Sequence, residues 1–144
     1  MILYLDSSGI VKKYVDENGS SEIHDAVARA DAVGTASISR AEVVAALRKA
    51  VRMGVLANAE GEAAVRAFNK DWRDLIRTRL TERLVEHASK LAWNHDLRGY
   101  DAVQLASAAA WQQAVGRQVT LATFDVRLSR AARQIGLLTF PVHL

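Results

Sequence analysis

The chain opens with an unbroken run of large apolar residues, Ile2-Leu-Tyr-Leu5, which stops at an acid, two hydroxyls and a glycine, Asp6-Ser-Ser-Gly9. Four residues are too few for a helix, and the β-branched and aromatic members predict a strand buried on both faces, hence central in a parallel sheet. From Ile10 the spacing becomes helical. Val11, Tyr14 and Val15 predict a short helix to about Val15, closed by the turn formers Asp16-Glu-Asn-Gly19. Asp6 therefore stands where strand turns into helix, and in open α/β sheets that is where ligands bind.

The same alternation runs through the rest of the chain. Ser20 or Ser21 opens a second helix with Ile23, Ala26, Val27 and Ala30 as its stripe, and Ala32 to Ile38 predicts a second strand. From Ala41 the pattern is helical again, with Val44, Leu47 and Val51 on one face, Arg48, Lys49 and Arg52 on the other, and Gly54 as terminator. A long amphipathic helix is expected from about Leu56 to Arg77, followed by a short third strand from Arg77 to Leu80. Thr81 and Glu82 open a helix that buries Leu84, Val85, Ala88, Leu91 and Ala92. Tyr100 to Val115, rich in alanine and free of breakers, is a further helix with a small-residue face. Gly116-Arg-Gln118 turns into a fourth strand, Val119 to Ala122. After Thr123-Phe-Asp125 come a helix with Val126, Leu128, Ala131 and Ile135, then Gly136, then a last strand from Leu137 to Phe140. Strands alternating with helices predict a parallel α/β layered fold. No linker, repeat or low-complexity stretch divides it, so residues 1–144 read as one domain.

Composition narrows the chemistry. The 144 residues suffice to bury about 70% of the unfolded surface without cross-links. With no cysteine there are no disulfides, thiolate nucleophiles or Cys-containing zinc sites. The start lacks a basic region and a long apolar run, and no segment approaches the roughly 20 apolar residues of a membrane span. The expectation is a soluble, cytoplasmic protein. The formal charge of +3 permits a polyanionic partner without requiring one. Basic groups such as Arg73, Arg77, Arg79 and Arg83 read first as solvated helix faces. Histidines 24, 87, 95 and 143 lack the short spacing of a metal pair and read as structural. Trp72, Trp93 and Trp111 read as anchors of the core or of an interface.

Four carboxylates share one kind of place: Asp6 after the first strand, Glu42 in the first turn after the second, Asp101 in the first turn of the alanine-rich helix, and Asp125 after the fourth strand. Each has a structural explanation. Asp6 and Asp125 suit N-caps, Ser39-Arg-Ala-Glu42 has the pattern of a capping box, and Asp101 suits a helix start. Taken together they point further, because the carboxyl ends of parallel strands share one edge, which brings Asp6, Glu42 and Asp125 to the same side. Clustered carboxylates stay ionised at neutral pH when a cation lies among them, and hard oxygen ligands suit Mg²⁺ or Mn²⁺. Such a site supports phosphodiester hydrolysis, with Ser7 and Thr123 placed to orient waters. The remaining acids, among them Asp25, Glu62, Asp74 and Glu86, read as solvation. A phosphoacceptor receiver domain needs an acidic pair and a late lysine, and an Asp-x-Asp phosphatase needs an acid at residue 8; this chain has Asp6-Ser-Ser8 and no lysine in Val119-Thr-Leu-Ala122.

Four stretches carry a resemblance over essentially the whole chain: the strand ending in Asp6-Ser7-Ser8, Ser39-Arg-Ala-Glu42-Val, Leu97-Arg-Gly-Tyr-Asp101-Ala-Val-Gln-Leu-Ala106, and Thr123-Phe-Asp125 followed by Leu128, Ala131 and Gly136. In that order and spacing they resemble PIN-domain proteins of the VapC toxin type. The resemblance implies a three-layer α/β/α sandwich with five parallel strands in the order 3-2-1-4-5. It also implies a Mg²⁺- or Mn²⁺-dependent endoribonuclease, in which Asp6, Asp101 and Asp125 hold metal and Glu42 binds it through water or serves as a base. Further implications are a homodimer, a cognate antitoxin lying across the groove, and structured RNA as substrate, often transfer or ribosomal RNA. Gln104 stands where an aromatic or a histidine is frequent. Two alternatives share the fold: a PIN nuclease of RNA processing, and an inactive module that only binds RNA or protein.

Overall fold

The computed structural model describes residues 1–144. Its elements are β1 (Ile2–Leu5), α1 (Ser7–Val11), α2 (Ser20–Arg29), β2 (Ala32–Ala36), α3 (Ser39–Arg52), α4 (Asn58–Asp71), β3 (Ile76–Thr78), α5 (Glu82–His95), α6 (Gly99–Val115), β4 (Val119–Ala122), α7 (Val126–Gln134) and β5 (Leu138–Phe140), with a single 3-10 turn, Trp72–Asp74, before β3. The five strands form one parallel sheet in the order β3-β2-β1-β4-β5. That is the expected α/β architecture with β1 at its centre.

All four residues of β1 are buried, and their alternation divides the core. Ile2 and Tyr4 join the layer of α5, α6 and α7 through Leu84, Leu91, Leu105, Trp111 and Leu128. Leu3 and Leu5 join the opposite layer through Ile10, Ile23, Val43, Leu47, Phe68 and Trp72. Each fully buried large side chain contributes about 1.5–3 kcal/mol of transfer free energy, so these four residues tie both layers to one strand. Helix α6 is buried on most of its circumference, with Ala102, Leu105, Ala106, Ala108 and Trp111 all inside. Its alanines admit close approach, and Trp111 lies directly on Gly34 of β2, where an added Cβ would stand 2.7 Å from the ring. That contact accounts for a glycine in mid-strand.

Several boundaries differ from the sequence expectation. The first helix ends at Val11 instead of about Val15, and turns carry the chain on. The second strand stops at Ala36, and α3 begins at Ser39 instead of Ala41. The long helix expected to Arg77 ends at Asp71. Phe68 and Trp72 are buried at helical spacing, and Leu75 and Ile76 prolong the same pattern, so periodicity carries the helix too far. In the structure Leu75 is already extended, and Arg77 donates to the Trp72 carbonyl at 2.6 Å and the Leu75 carbonyl at 3.0 Å. A side chain on the strand thus adds hydrogen bonds to the carbonyls at and just past the helix end. The third strand consequently lies at Ile76–Thr78, earlier than Arg77–Leu80. Trp72 and Trp111 are core residues as expected, whereas Trp93 is 88% exposed and anchors nothing within the chain. No helix is long and apolar enough to cross a membrane.

Candidate active site

The register places the site. Leu5 pairs with Ala122 across β1 and β4, so Asp6 and Thr123 leave adjacent strand ends together, and the Asp6 amide donates to the Ala122 carbonyl at 3.2 Å. Asp125 lies two residues further on, as the N-cap of α7. On the other side of β1, the chain leaving β2 enters α3 at Ser39, which puts Glu42 in the first turn. Asp101 enters from above the sheet, in the first turn of α6.

Asp6 is 4% exposed and forms no ion pair. Its Oδ1 accepts from the Gly9 amide and the Ser8 hydroxyl, each at 2.7 Å, which caps α1. Burial pushes its carboxyl up to about 6, and the nearby Asp101 charge adds to the rise; the Thr123 and Ser8 hydroxyls and the Gly9 amide pull the other way. Asp125 Oδ1 accepts from the Leu128 amide at 2.9 Å, while its Oδ2 meets Arg98 at 3.5 Å. Arg98 also pairs with Asp101 Oδ2 at 3.1 Å, so one guanidinium spans two of the four acids. The capping and ligand roles therefore coexist. In both Asp6 and Asp125 one oxygen holds a helix start, and the second Asp125 oxygen faces Arg98.

Glu42 departs from its capping-box reading. The N-cap of α3 is Ile38, with no side-chain cap, and the Glu42 carboxylate turns instead to the Ser7 hydroxyl at 2.9 Å and the Gln104 amide at 2.7 Å. Ser7 thus links the residue after Asp6 to Glu42. Thr123 accepts the Asp125 amide at 3.1 Å and shapes the turn between those two site residues. The structure brings the six expected residues to one edge of the sheet: four acids, a serine and a threonine. Two residues had no assigned role from sequence, Arg98 and Gln104. Arg98 lies in the stretch that carries the resemblance, but its bridge to Asp125 spans 27 positions and leaves no local pattern.

The donor set is all hard oxygen and includes a buried carboxylate with no cationic partner, which fits a divalent cation of the Mg²⁺ class. As the side chains stand, no three acids converge closely enough to hold one ion. Arg98 lies between Asp101 and Asp125, and Glu42 is turned to Ser7 and Gln104. Arg98 is 80% exposed on a cleft of about 330 Å³ formed with Leu97, Asp101, Asp125, Val126 and Arg127, and solvent is open to it. A further cavity, about 440 Å³, lies elsewhere, between α3 and α4, and touches none of the four acids. His95 bonds Gln134 at 2.9 Å and takes no part in the site.

Comparison with known proteins agrees with this geometry. The PIN domain family model matches residues 3–134. The ribonuclease VapC45 of Mycobacterium tuberculosis (strain CDC 1551 / Oshkosh) is 35% identical over 144 residues, covering 99% of this chain and 97% of its own. Among solved structures, FitAcB from Neisseria gonorrhoeae superposes with a TM-score of 0.65 at 18% identity over 100% of both chains. VapBC2 from Rickettsia felis, bound to a DNA fragment from its promoter, superposes with a TM-score of 0.64 at 14% identity, covering 96% of this chain and 97% of its own.

Proposed function

Because the chain belongs to the PIN-domain family and is a ribonuclease of the VapC type, we propose that it hydrolyses RNA phosphodiester bonds with a Mg²⁺ or Mn²⁺ ion held by Asp6, Asp101 and Asp125, with Glu42 completing the site. The single observation that carries this assignment is the buried, cation-free Asp6 on the same sheet edge as three further carboxylates. The ion, when bound, supplies Lewis acidity toward a phosphoryl oxygen and lowers the pKa of its water. The protein's own groups do the rest. Asp6 and Asp125 are each fixed at one oxygen by a helix cap. Glu42 receives a proton from the attacking water or orients that water by hydrogen bond. Ser7 holds Glu42, and Thr123 sets the turn that presents Asp125.

As a VapC-type ribonuclease it is the toxin of a toxin–antitoxin pair, and the solved VapBC and FitAB assemblies support a cognate antitoxin as partner. We further infer a structured RNA, transfer or ribosomal, as substrate, a homodimer as the working form, the whole of residues 1–144 as one PIN unit, and a cytoplasmic site of action. The test is digestion of total cellular RNA by antitoxin-free protein, with Mn²⁺ or Mg²⁺, with chelator, and with Asp101→Asn. Discrete fragments that require both the metal and Asp101 are expected. Cleavage that survives chelation or Asp101→Asn would overturn the site assignment.

A further inference from the structure

Gln104 lies one turn beyond Asp101 on α6 and is 2% exposed. Its Oε1 accepts from the buried Tyr4 hydroxyl at 2.7 Å. Its Nε2 stands 2.7 Å from Glu42 Oε1, 2.9 Å from Ser39 Oγ and 3.1 Å from Ser7 Oγ. An amide has two protons for these three acceptors. The shortest contact, to the charged oxygen, takes one and Ser39 takes the other, while the Ser7 proton goes to Glu42 as well. Reversing the amide would set its carbonyl against the Glu42 carboxylate, so charge fixes its orientation, and the Tyr4 phenol donates in agreement.

The hydrogen bonds run on beyond Gln104. Ser39 Oγ lies 2.7 Å from Thr35 Oγ1, and Thr35 gives its own proton to the Leu5 carbonyl at 2.8 Å, so Ser39 donates to Thr35. A continuous series of bonds thus links Leu5, the residue before Asp6, to Glu42 by way of β2, α3 and α6. Both donors to Glu42 fall on Oε1, which leaves Oε2 without a protein hydrogen bond.

We propose that Gln104 is a positioning residue of the nuclease site: it sets the Glu42 carboxylate in a fixed relation to Asp6 and keeps Oε2 turned to the cation or its water. This rests on the reading that Glu42 belongs to the metal site. Space-filling alone does not explain an amide here, because an apolar side chain would leave the Tyr4 hydroxyl and half of the Glu42 contacts unmet.

The test compares wild type, Gln104→Leu, Gln104→His, Tyr4→Phe, Glu42→Gln and the double variant Glu42→Gln/Gln104→Leu. Mn²⁺ binding is measured by calorimetry, cleavage of an oligonucleotide bearing a site mapped in the total-RNA digest gives kcat and KM, and thermal melting monitors the fold. Gln104→Leu is expected to lower Mn²⁺ affinity and kcat by about tenfold each, the range for groups that orient metal ligands, with KM for RNA unchanged. Gln104→His retains an N–H donor and is expected to stay within about threefold of wild type, and Tyr4→Phe to fall between. The double variant is expected to be no worse than Glu42→Gln, since Gln104 acts through Glu42. Undiminished Mn²⁺ affinity in Gln104→Leu, or losses that add in the double variant, would overturn the proposal. So would losses that follow the melting temperature and are not rescued by histidine. If Glu42→Gln itself binds Mn²⁺ and cleaves normally, the site assignment fails first, a result separable from failure of Gln104 alone.

Discussion

Asp6 carries opposite demands. Its Oδ1 caps α1, which stabilises the fold, while its charge is buried without a counter-ion, which destabilises it. Its folded-state pKa of about 6 lies above the ordinary 3.8, so the folded chain binds this proton more tightly than the unfolded chain does. The stabilisation from that proton is complete below the ordinary value and is lost as pH rises through about 6. A shift of this size corresponds to about 3 kcal/mol. Asp6→Asn keeps the acceptor and removes the charge. In chelator at pH 7.5 its melting temperature is expected to exceed wild type by on the order of 5 °C, the gap closing by pH 4, while cleavage is abolished. A lower melting temperature at pH 7.5 would show that the cap outweighs the charge. Asp6, Asp101 and Asp125 were legible because helix starts are local features. The Ser39–Glu42 pattern was legible and misleading: it matched a capping box, but the partner that wins Glu42 is Gln104, 62 positions away. Local spacing carries no trace of such a contact.

At the level of elements, the contact between Trp111 of α6 and Gly34 of β2 sets how closely the helix bearing Asp101 and Gln104 approaches the sheet. Gly34→Ala drives a methyl into a rigid, buried ring. The expected loss is about 1–3 kcal/mol, read as a lower denaturation midpoint, and Trp111→Leu in the same chain is expected to restore part of it. Equal midpoints for Gly34→Ala and wild type would mean that α6 shifts freely, and the rigid placement of Asp101 would fall with it. The elements themselves were largely readable, since β1, β4 and α6 combine composition and flanking breakers in agreement. The stretch after Phe68 was not, because Trp72, Leu75 and Ile76 keep helical spacing across a helix end that Arg77 stabilises from the strand.

For the molecule as a whole, the proposed metal site implies a linkage between metal and stability. Four carboxylates at one edge are relieved when a cation binds the folded chain alone, and ligand at one hundred times its Kd adds about 2.7 kcal/mol. Melting temperature is therefore expected to rise with Mn²⁺ in wild type and to rise little or not at all in Asp101→Asn or Asp125→Asn. Equal rises in all three would place the ion elsewhere. The sheet order followed from the family resemblance and the shared edge of Asp6, Glu42 and Asp125 from the strand ends, whereas the Arg98 bridge between Asp101 and Asp125 arises only once α6 and α7 stand side by side.

The central place of β1 also has a consequence in time. β1 leaves the ribosome well before its neighbour β4, and Asp125 follows β4. At about 5–20 residues per second, the interval between Asp6 and Asp125 is on the order of ten seconds. Throughout it the nascent chain holds Asp6 and, as they emerge, Glu42 and Asp101, but lacks Asp125. On the proposed assignment of Asp125 to the metal site, a nuclease built this way is inert until β4 and Asp125 have been made.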